Sequence, residues 1–139
     1  MKKFNIFLSI VLVIVLGAGA FLFLGKEAFG FEKEKTPSVE DLAELTIDTD
    51  VITTNLASNN FAVVQFNILL DSKEAKEELD QRKPEVRAAI ISILAGFTKD
   101  QLTGREGITN LEEELFSKLD AIVQSGQVER VLVTEFKVQ

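Results

Sequence analysis

The sequence contains no cysteine, no histidine, no tryptophan and no tyrosine, and only two prolines. Without cysteine the chain forms no disulfide and offers no thiol for catalysis. Without histidine it lacks the commonest metal ligand and the commonest general base of proteins. A catalytic or metal site would have to be built from carboxylates, lysines and hydroxyl groups alone.

The remaining polar residues show no arrangement that is typical of catalysis. A serine or threonine nucleophile needs an activating base, and neither S-x-x-K nor G-x-S-x-G occurs. The alternating carboxylates Asp48 and Asp50 lack the glycine and the distal glutamate of a calcium loop. Most of the 22 acidic residues fall on helix faces that we expect to be solvated. We predict that the protein is not an enzyme and has no catalytic, cofactor-binding or metal-binding residues.

A long hydrophobic run occupies residues 4–24, which carry no charge over 21 positions. A helix of this length rises about 30 Å, which matches the hydrocarbon core of a bilayer. We therefore predict a cytoplasmic tip and a single transmembrane anchor in residues 1–24, with the N-terminus on the cytoplasmic side. Gly17 and Gly19 form a small-residue patch suited to packing against another membrane helix.

The same run also has the features of a cleaved signal peptide, because AGA at 18–20 resembles a cleavage site. Cleavage after Ala20 would release a secreted protein, and a secreted hydrolase is then the rival function. The run is longer than the roughly 7–15 apolar residues of a signal-peptide core, and FLFL would begin the mature chain. Both features favour the uncleaved anchor.

Beyond the run the chain is acidic. Only Lys2 and Lys3 of the 15 basic residues precede it, so residues 25–139 hold 13 basic against 22 acidic residues. This charge repels nucleic acid and anionic headgroups, and we predict no nucleic-acid partner. Residues 25–44 mix glycine, proline and alternating charges, and we predict a tether there. The domain proper is predicted at 45–139, outside the cytoplasm.

The pattern of the domain predicts an α+β fold. Two segments rich in β-branched residues flank the turn signal SNN at 58–60 and indicate a hairpin. Its second strand, residues 61–70, places one set of apolar residues on the core face: Ala62, Val64, Phe66, Ile68 and Leu70.

Helical periods follow the hairpin, and an alternating segment ends the chain. They predict a charged helix from residue 71, a buried helix that begins at Pro84 and a third helix along the face of Ile108 to Ile122. Because two strands alone are marginal in water, we predict that residues 128–138 form the third strand of a small sheet.

Two surfaces are predicted to contact partners. The second face of strand 61–70 is half apolar, and Phe61, Val63 and Gln65 lie on it. The loop at 96–107 is bounded by glycines and contains Phe97 and Arg105. We expect a neighbouring subunit or another protein at these five residues.

The order of the segments resembles the FliL family of flagellar basal body-associated membrane proteins. An anchor precedes TTNLASNNFAVVQFNILLDS, KPEVRAAIISILAG follows, and the chain stops on V-x-x-V-x-x-T-x-F-x-x-Q. In this sequence the final pattern consists of Val128, Val131, Thr134, Phe136 and Gln139. Each motif is weak alone, but their order covers nearly the whole chain.

The resemblance implies a single-pass protein of the bacterial cell membrane with a stomatin-like (SPFH) outer domain that assembles into homo-oligomeric rings. It implies association with the flagellar basal body and with MotA/MotB-type stator subunits, in support of rotation and torque. It carries over no catalytic residue, no cofactor and no partner-contacting residue. The rival to this interpretation is a different class of binder, a generic stomatin-like membrane scaffold that has no part in motility.

Overall fold

The computed structural model describes residues 36–139, and the predicted anchor at 4–24, with Gly17 and Gly19, lies outside them. The centre of the described part is strand β3 (Phe61–Leu70). Its apolar residues alternate, and all five residues of the predicted core face have no exposed surface. The opposite face is half-buried except at Phe61, which is exposed. The predicted orientation of this strand is confirmed.

The sheet has four strands, where the sequence predicted three. Strands β1 (Thr46–Asp48) and β2 (Ile52–Asn55) lie end to end on one side of β3, and β4 (Val128–Val138) pairs antiparallel along its other side. The segment predicted as one strand is interrupted because three residues, 49–51, oppose only Gln65 and Phe66. Such an extra residue is a β-bulge, which bends a strand and increases its twist.

Thr49 closes this bulge with its side chain. Its backbone N–H donates to the Phe66 carbonyl at 2.9 Å, and its hydroxyl accepts from the Phe66 N–H at 3.0 Å. Strand β4 also changes register opposite Gln65 and Phe66. Both neighbours of β3 are therefore irregular at the same position, opposite Gln65 and Phe66.

A short helix, α1 (Val39–Glu44), precedes the sheet. Ser38 caps it: the Ser38 side chain accepts from the Asp41 N–H, and the Asp41 carboxylate accepts from the Ser38 N–H. This reciprocal capping box satisfies two backbone groups that a helix start leaves unpaired. The last six residues of the segment predicted as a tether are therefore helical.

Helices α2 (Lys73–Gln81) and α3 (Lys83–Leu94) follow β3 without a long loop. Ser72 caps α2 by accepting from the Ala75 N–H, and only Ala75 and Leu79 of α2 are buried. Pro84 lies in the first turn of α3, where its missing N–H has no intrahelical partner to lose. Both helix starts agree with the sequence prediction.

The longest helix is α4 (Gly104–Ile122), which buries Leu111, Leu115 and Leu119 on one face. It begins four residues before the predicted Ile108, so the predicted loop at 96–107 is shorter than expected. Gly104 has φ +77°, a conformation that side chains disfavour, and Gly107 packs against the backbone of Gln101 and Leu102. The close approach of Gly107 requires a residue without a Cβ.

Gly126 has a different role from the one predicted. We expected it to end α4 in a left-handed conformation, but the helix ends at Ile122 with Val123 in an extended conformation. Among the described residues only Gly104 has a positive φ. A Cβ at Gly126 would collide with Asp71, Ser72 and Ala75, so this glycine permits close packing of the turn before β4 on the start of α2.

The buried residues of helices α2, α3 and α4 form one cluster with the core face of β3. Strand β4 adds Val128 and Val131 to this cluster, and Val133, Phe136 and Val138 pack against it. The fold is thus α+β, with helices on one face of a small antiparallel sheet. None of the helices within residues 36–139 has the length and hydrophobicity needed to cross a membrane.

Candidate interaction surfaces

Glu78 joins helix α2 to the turn that leads into β4. One carboxylate oxygen accepts from the Ser125 N–H at 2.7 Å and from its hydroxyl at 2.5 Å, and the Gln124 N–H donates to both oxygens at 3.0–3.1 Å. The Arg82 Nε, directly after the end of α2, lies 3.1 Å from the other carboxylate oxygen. The hydroxyl and backbone hydrogen bonds, with a smaller effect of Arg82, lower the pKa of Glu78 to about 2.

Three further carboxylates bind backbone N–H groups around the start of β4. Asp71 accepts from Gln127, Asp120 accepts from Val128, and Glu112 accepts from Val133, at 2.8–3.0 Å. Asp71 also donates its own N–H to the Gln127 carbonyl. Four acidic side chains, from helices α2 and α4 and from the connection between β3 and α2, therefore hold residues 124–133 in place.

Sequence reasoning missed this role, because it predicted Asp71 or Ser72 as the cap of the first helix and placed the other three acids on solvated helix faces. Glu112 and Glu78 are half-buried, and Asp71 and Asp120 are exposed. Nothing in their spacing along the chain distinguishes them from neighbours such as Glu77 or Glu113. Their partners are 8 to 56 positions away in sequence, so only the fold brings them together.

The predicted surface on β3 is open but uneven. Phe61 is 56% exposed, whereas Val63 and Gln65 are half-buried beside the neighbouring strands. The side-chain amide of Gln65 donates to the Thr49 carbonyl at 2.8 Å, so this residue takes part in the bulge. The neighbouring strands account for the partial burial of Val63 and Gln65, and cover by a neighbouring subunit stays a prediction.

The predicted surface at 96–107 divides into two environments. Phe97 is 8% exposed and belongs to the core, and its carbonyl accepts from the Ala57 N–H at 2.8 Å. Arg105 is exposed on the first turn of α4 and not in a loop. Arg105 is therefore accessible and the side chain of Phe97 is mostly buried, and contact of either residue with a partner stays a prediction.

A groove of about 920 Å³ follows α4 and the end of α3. Its apolar part is formed by Ile93 and Phe97, and its charged lining consists of Asp100, Glu106, Glu113, Glu114 and Lys118. The groove therefore presents four carboxylates and one ammonium group, and its electrostatics favour a basic partner.

A smaller pocket of about 300 Å³ lies where the bulge between β1 and β2 meets helices α2 and α3. Ile47, Ile52, Ile68, Leu79, Val86 and Ile90 provide its apolar lining. Asp48 and Asp50 are at the rim with Lys83 and Arg87. The pocket is a consequence of the interrupted strand, which the sequence did not predict.

No group of three or more acidic residues within 36–139 is arranged to hold a metal ion. The buried residues of the same range include no polar or charged side chain.

Comparison with known proteins identifies relatives of this domain. Residues 46–139 match the family model described as flagellar basal body-associated protein FliL. The chain is 36% identical over 124 residues to the flagellar protein FliL of Bacillus subtilis. This alignment covers 89% of the present chain and 87% of the relative. It is 31% identical over 79 residues to the flagellar protein FliL of Aquifex aeolicus, covering 57% and 49% of the two chains.

Proposed function

Because this chain belongs to the FliL family of flagellar basal body-associated proteins, we propose that it is a non-enzymatic, membrane-anchored accessory protein of the flagellar stator. In this proposal it associates with MotA/MotB-type subunits and supports rotation and torque. The main support for the proposal is the match of the sheet-and-helix domain, residues 46–139, to the family model.

The similarity to the Bacillus subtilis relative also bears on the N-terminal segment. The match of 124 residues is longer than the described range, so it includes part of the sequence before residue 36. This supports an arrangement in which residues 1–24 anchor the chain and the domain at 45–139 lies outside the cytoplasm, beside the basal body. Gly17 and Gly19 are then the proposed contact with another membrane helix.

The proposed mechanism is mechanical. A stomatin-like outer domain, held near the membrane by its anchor, packs with further copies into a ring around the extracytoplasmic linker of the stator and stabilises its ion-conducting state. Phe61, Val63 and Gln65 on β3 and Arg105 on α4 are the proposed contacts. Phe61 and Arg105 are exposed, which makes them the residues to test.

Cross-linking in intact motile cells tests the proposal. The full-length protein is cross-linked and purified, and the captured chains are identified by mass spectrometry. We expect stator subunits together with further copies of the protein. Recovery of neither, at good cross-linking yield, would contradict the proposal.

Matched variants make the capture specific. F61S and R105E are expected to reduce stator capture, whereas R87E makes the same charge change at an exposed residue outside both predicted surfaces and should leave capture intact. R105E adds a negative charge in the first turn of α4, which is favourable for the helix, so its loss of capture would not result from unfolding. If the protein accumulates away from flagellar bases, a membrane scaffold without a role in motility replaces the proposal.

A further inference from the structure

Strand β4 has a second edge that no described strand pairs with. Its inner edge pairs with β3 from Ala62 to Leu70. On the other side of β3 lie β1 and β2, so β4 is the outermost strand. An edge strand presents N–H and carbonyl groups that another strand can bind.

The antiparallel register determines which residues of β4 have groups on this edge. Phe61 and Gln139 exchange two hydrogen bonds of 2.9 Å, so they are a hydrogen-bonded pair. Because such pairs alternate with non-hydrogen-bonded pairs, Phe136 and Val138 direct their backbone groups away from β3. Within residues 36–139 these groups have no hydrogen-bond partner.

The N-terminal half of the edge is different. Glu112 accepts from the Val133 N–H and Asp120 accepts from the Val128 N–H, so helix α4 occupies this part. The available edge is therefore residues 134–138, TEFKV.

This segment is complementary to itself. When two copies of β4 run antiparallel about Phe136, Glu135 of each copy lies opposite Lys137 of the other. Phe136 lies opposite its own counterpart, and its outward backbone groups form a hydrogen-bonded pair across the axis. Glu135 and Lys137 are exposed and form no ion pair with other described residues, and Phe136 and Val138 are half-buried.

Neighbouring registers are less favourable. Pairing about Lys137 would use the outward backbone groups of Phe136 and Val138, but it would place the two Lys137 side chains directly opposite each other. Pairing about Glu135 would likewise place two carboxylates directly opposite each other. Pairing about Thr134 would bring the second copy against Val133, whose N–H is bound to Glu112.

We propose that two copies of this chain associate through the free edges of β4, antiparallel about Phe136, to form a two-fold symmetric dimer with one continuous sheet. Opposite charges placed directly across an antiparallel pair stabilise it, and this interface contains two such pairs. The contact is isologous and closes at two copies, so any ring would need a second surface. The inference does not depend on a partner in the flagellum.

Single cysteines test the register, because the natural chain has none. Full-length E135C and K137C, distinguished by mass, are mixed in membranes and oxidised. Directly opposite, non-hydrogen-bonded residues have Cα atoms about 4.5 Å apart, within reach of a disulfide, whereas Glu135 lies about 7–8 Å diagonally from its own counterpart. We expect the mixed disulfide dimer to exceed either homodimer by about tenfold.

T53C is the matched control, because Thr53 is exposed on β2 at the opposite side of the sheet. Equal disulfide yields from T53C and the mixed pair would indicate random collision and overturn the proposal. Equal yields from E135C alone and the mixed pair would overturn the register. A disulfide to a different protein would show that the edge binds another chain, and would also overturn it.

Charge reversal gives an independent readout in full-length protein. E135K or K137E alone places like charges opposite each other and should weaken dimerisation by about tenfold in sedimentation experiments. The E135K/K137E double variant restores opposite charges and should restore dimerisation. Equal dimerisation of all four proteins, or no dimer of the unmodified chain at any concentration, would contradict the proposal. Stator capture is measured separately, so failure of either proposal leaves the other testable.

Discussion

Gly107 lies where helix α4 passes the backbone of Gln101 and Leu102, and a Cβ there would come within 2.6 Å of the Leu102 carbonyl carbon. A single added methyl group therefore requires movement of backbone, which costs more than rotation of a side chain. We expect G107A to lower the free energy of unfolding by about 1–3 kcal/mol, measured by urea denaturation. N110A, at an exposed position of the same helix, should change it by less than about 0.5 kcal/mol. Equal stability of G107A and the unmodified protein would show that the approach is not tight.

Glu78 is the residue-scale example of an acid with a structural role. E78Q keeps the size of the side chain but removes the charge that binds Ser125, Gln124 and Arg82. We expect E78Q to have a lower urea midpoint than the unmodified protein, because hydrogen bonds to a charged acceptor are stronger than those to a neutral amide. E77Q changes the adjacent exposed carboxylate and should leave the midpoint unchanged. Identical urea midpoints for E78Q and E77Q would show that the charge of Glu78 does not help to hold β4 in place.

At the scale of elements, β4 is the strand on which the sheet depends. It pairs along nearly all of β3 and contributes Val128 and Val131 to the core. Without it, β3 retains only the two short strands β1 and β2 on its other side. The strand is in turn held by carboxylates of α2, α4 and the β3–α2 connection.

We therefore expect deletion of residues 130–139 to unfold the domain, because the core face of β3 would lose its longest neighbour. Limited proteolysis of the full-length and truncated proteins checks this, and K137A serves as the control with an intact strand. Truncated protein that resists protease as well as the K137A variant would contradict the assigned role of β4.

At the scale of the whole molecule, the lowered pKa of Glu78 predicts how stability depends on pH. The carboxylate has a pKa of about 2 in the folded protein, against the usual value of 4.5 for a free glutamate. A depressed folded pKa contributes stability above the unfolded value, and that contribution is lost as the pH falls from about 4.5 toward 2. The capping hydrogen bonds of Ser38 likewise lower the pKa of Asp41, so this residue acts in the same direction.

We expect the melting temperature to be constant above about pH 5.5 and to fall below pH 4.5. The difference in melting temperature between the unmodified protein and E78Q should be constant above pH 5.5 and should shrink toward zero near pH 2. Thermal denaturation monitored by circular dichroism at several pH values measures both. A difference that persists unchanged at pH 2 would indicate that charge at Glu78 is not its source.

Much of this architecture could be predicted from local pattern. The buried faces of β3 and α4 follow from the alternation of residues 61–70 and from the apolar period of the helix. The starts of α2 and α3 follow from Ser72 and Pro84. These features depend on the side chain and its near neighbours, so the sequence contains them directly. The family was likewise predictable, because it is carried by the order of such segments.

Only the tertiary structure determined three features of the domain. They are the interruption of the strand at Thr49, the close backbone approaches at Gly107 and Gly126, and the hydrogen bonds of carboxylates to β4. Each depends on a partner from a separate element whose distance and direction appear only when the sheet and helices have packed. The sequence by itself determined most of the elements, their buried faces and the acidic, cysteine-free composition, but not helix α1 or the division of the first strand. Packing determined which of the many acids are structural and which edge of the sheet stays free, because those outcomes depend on geometry between segments that are distant along the chain.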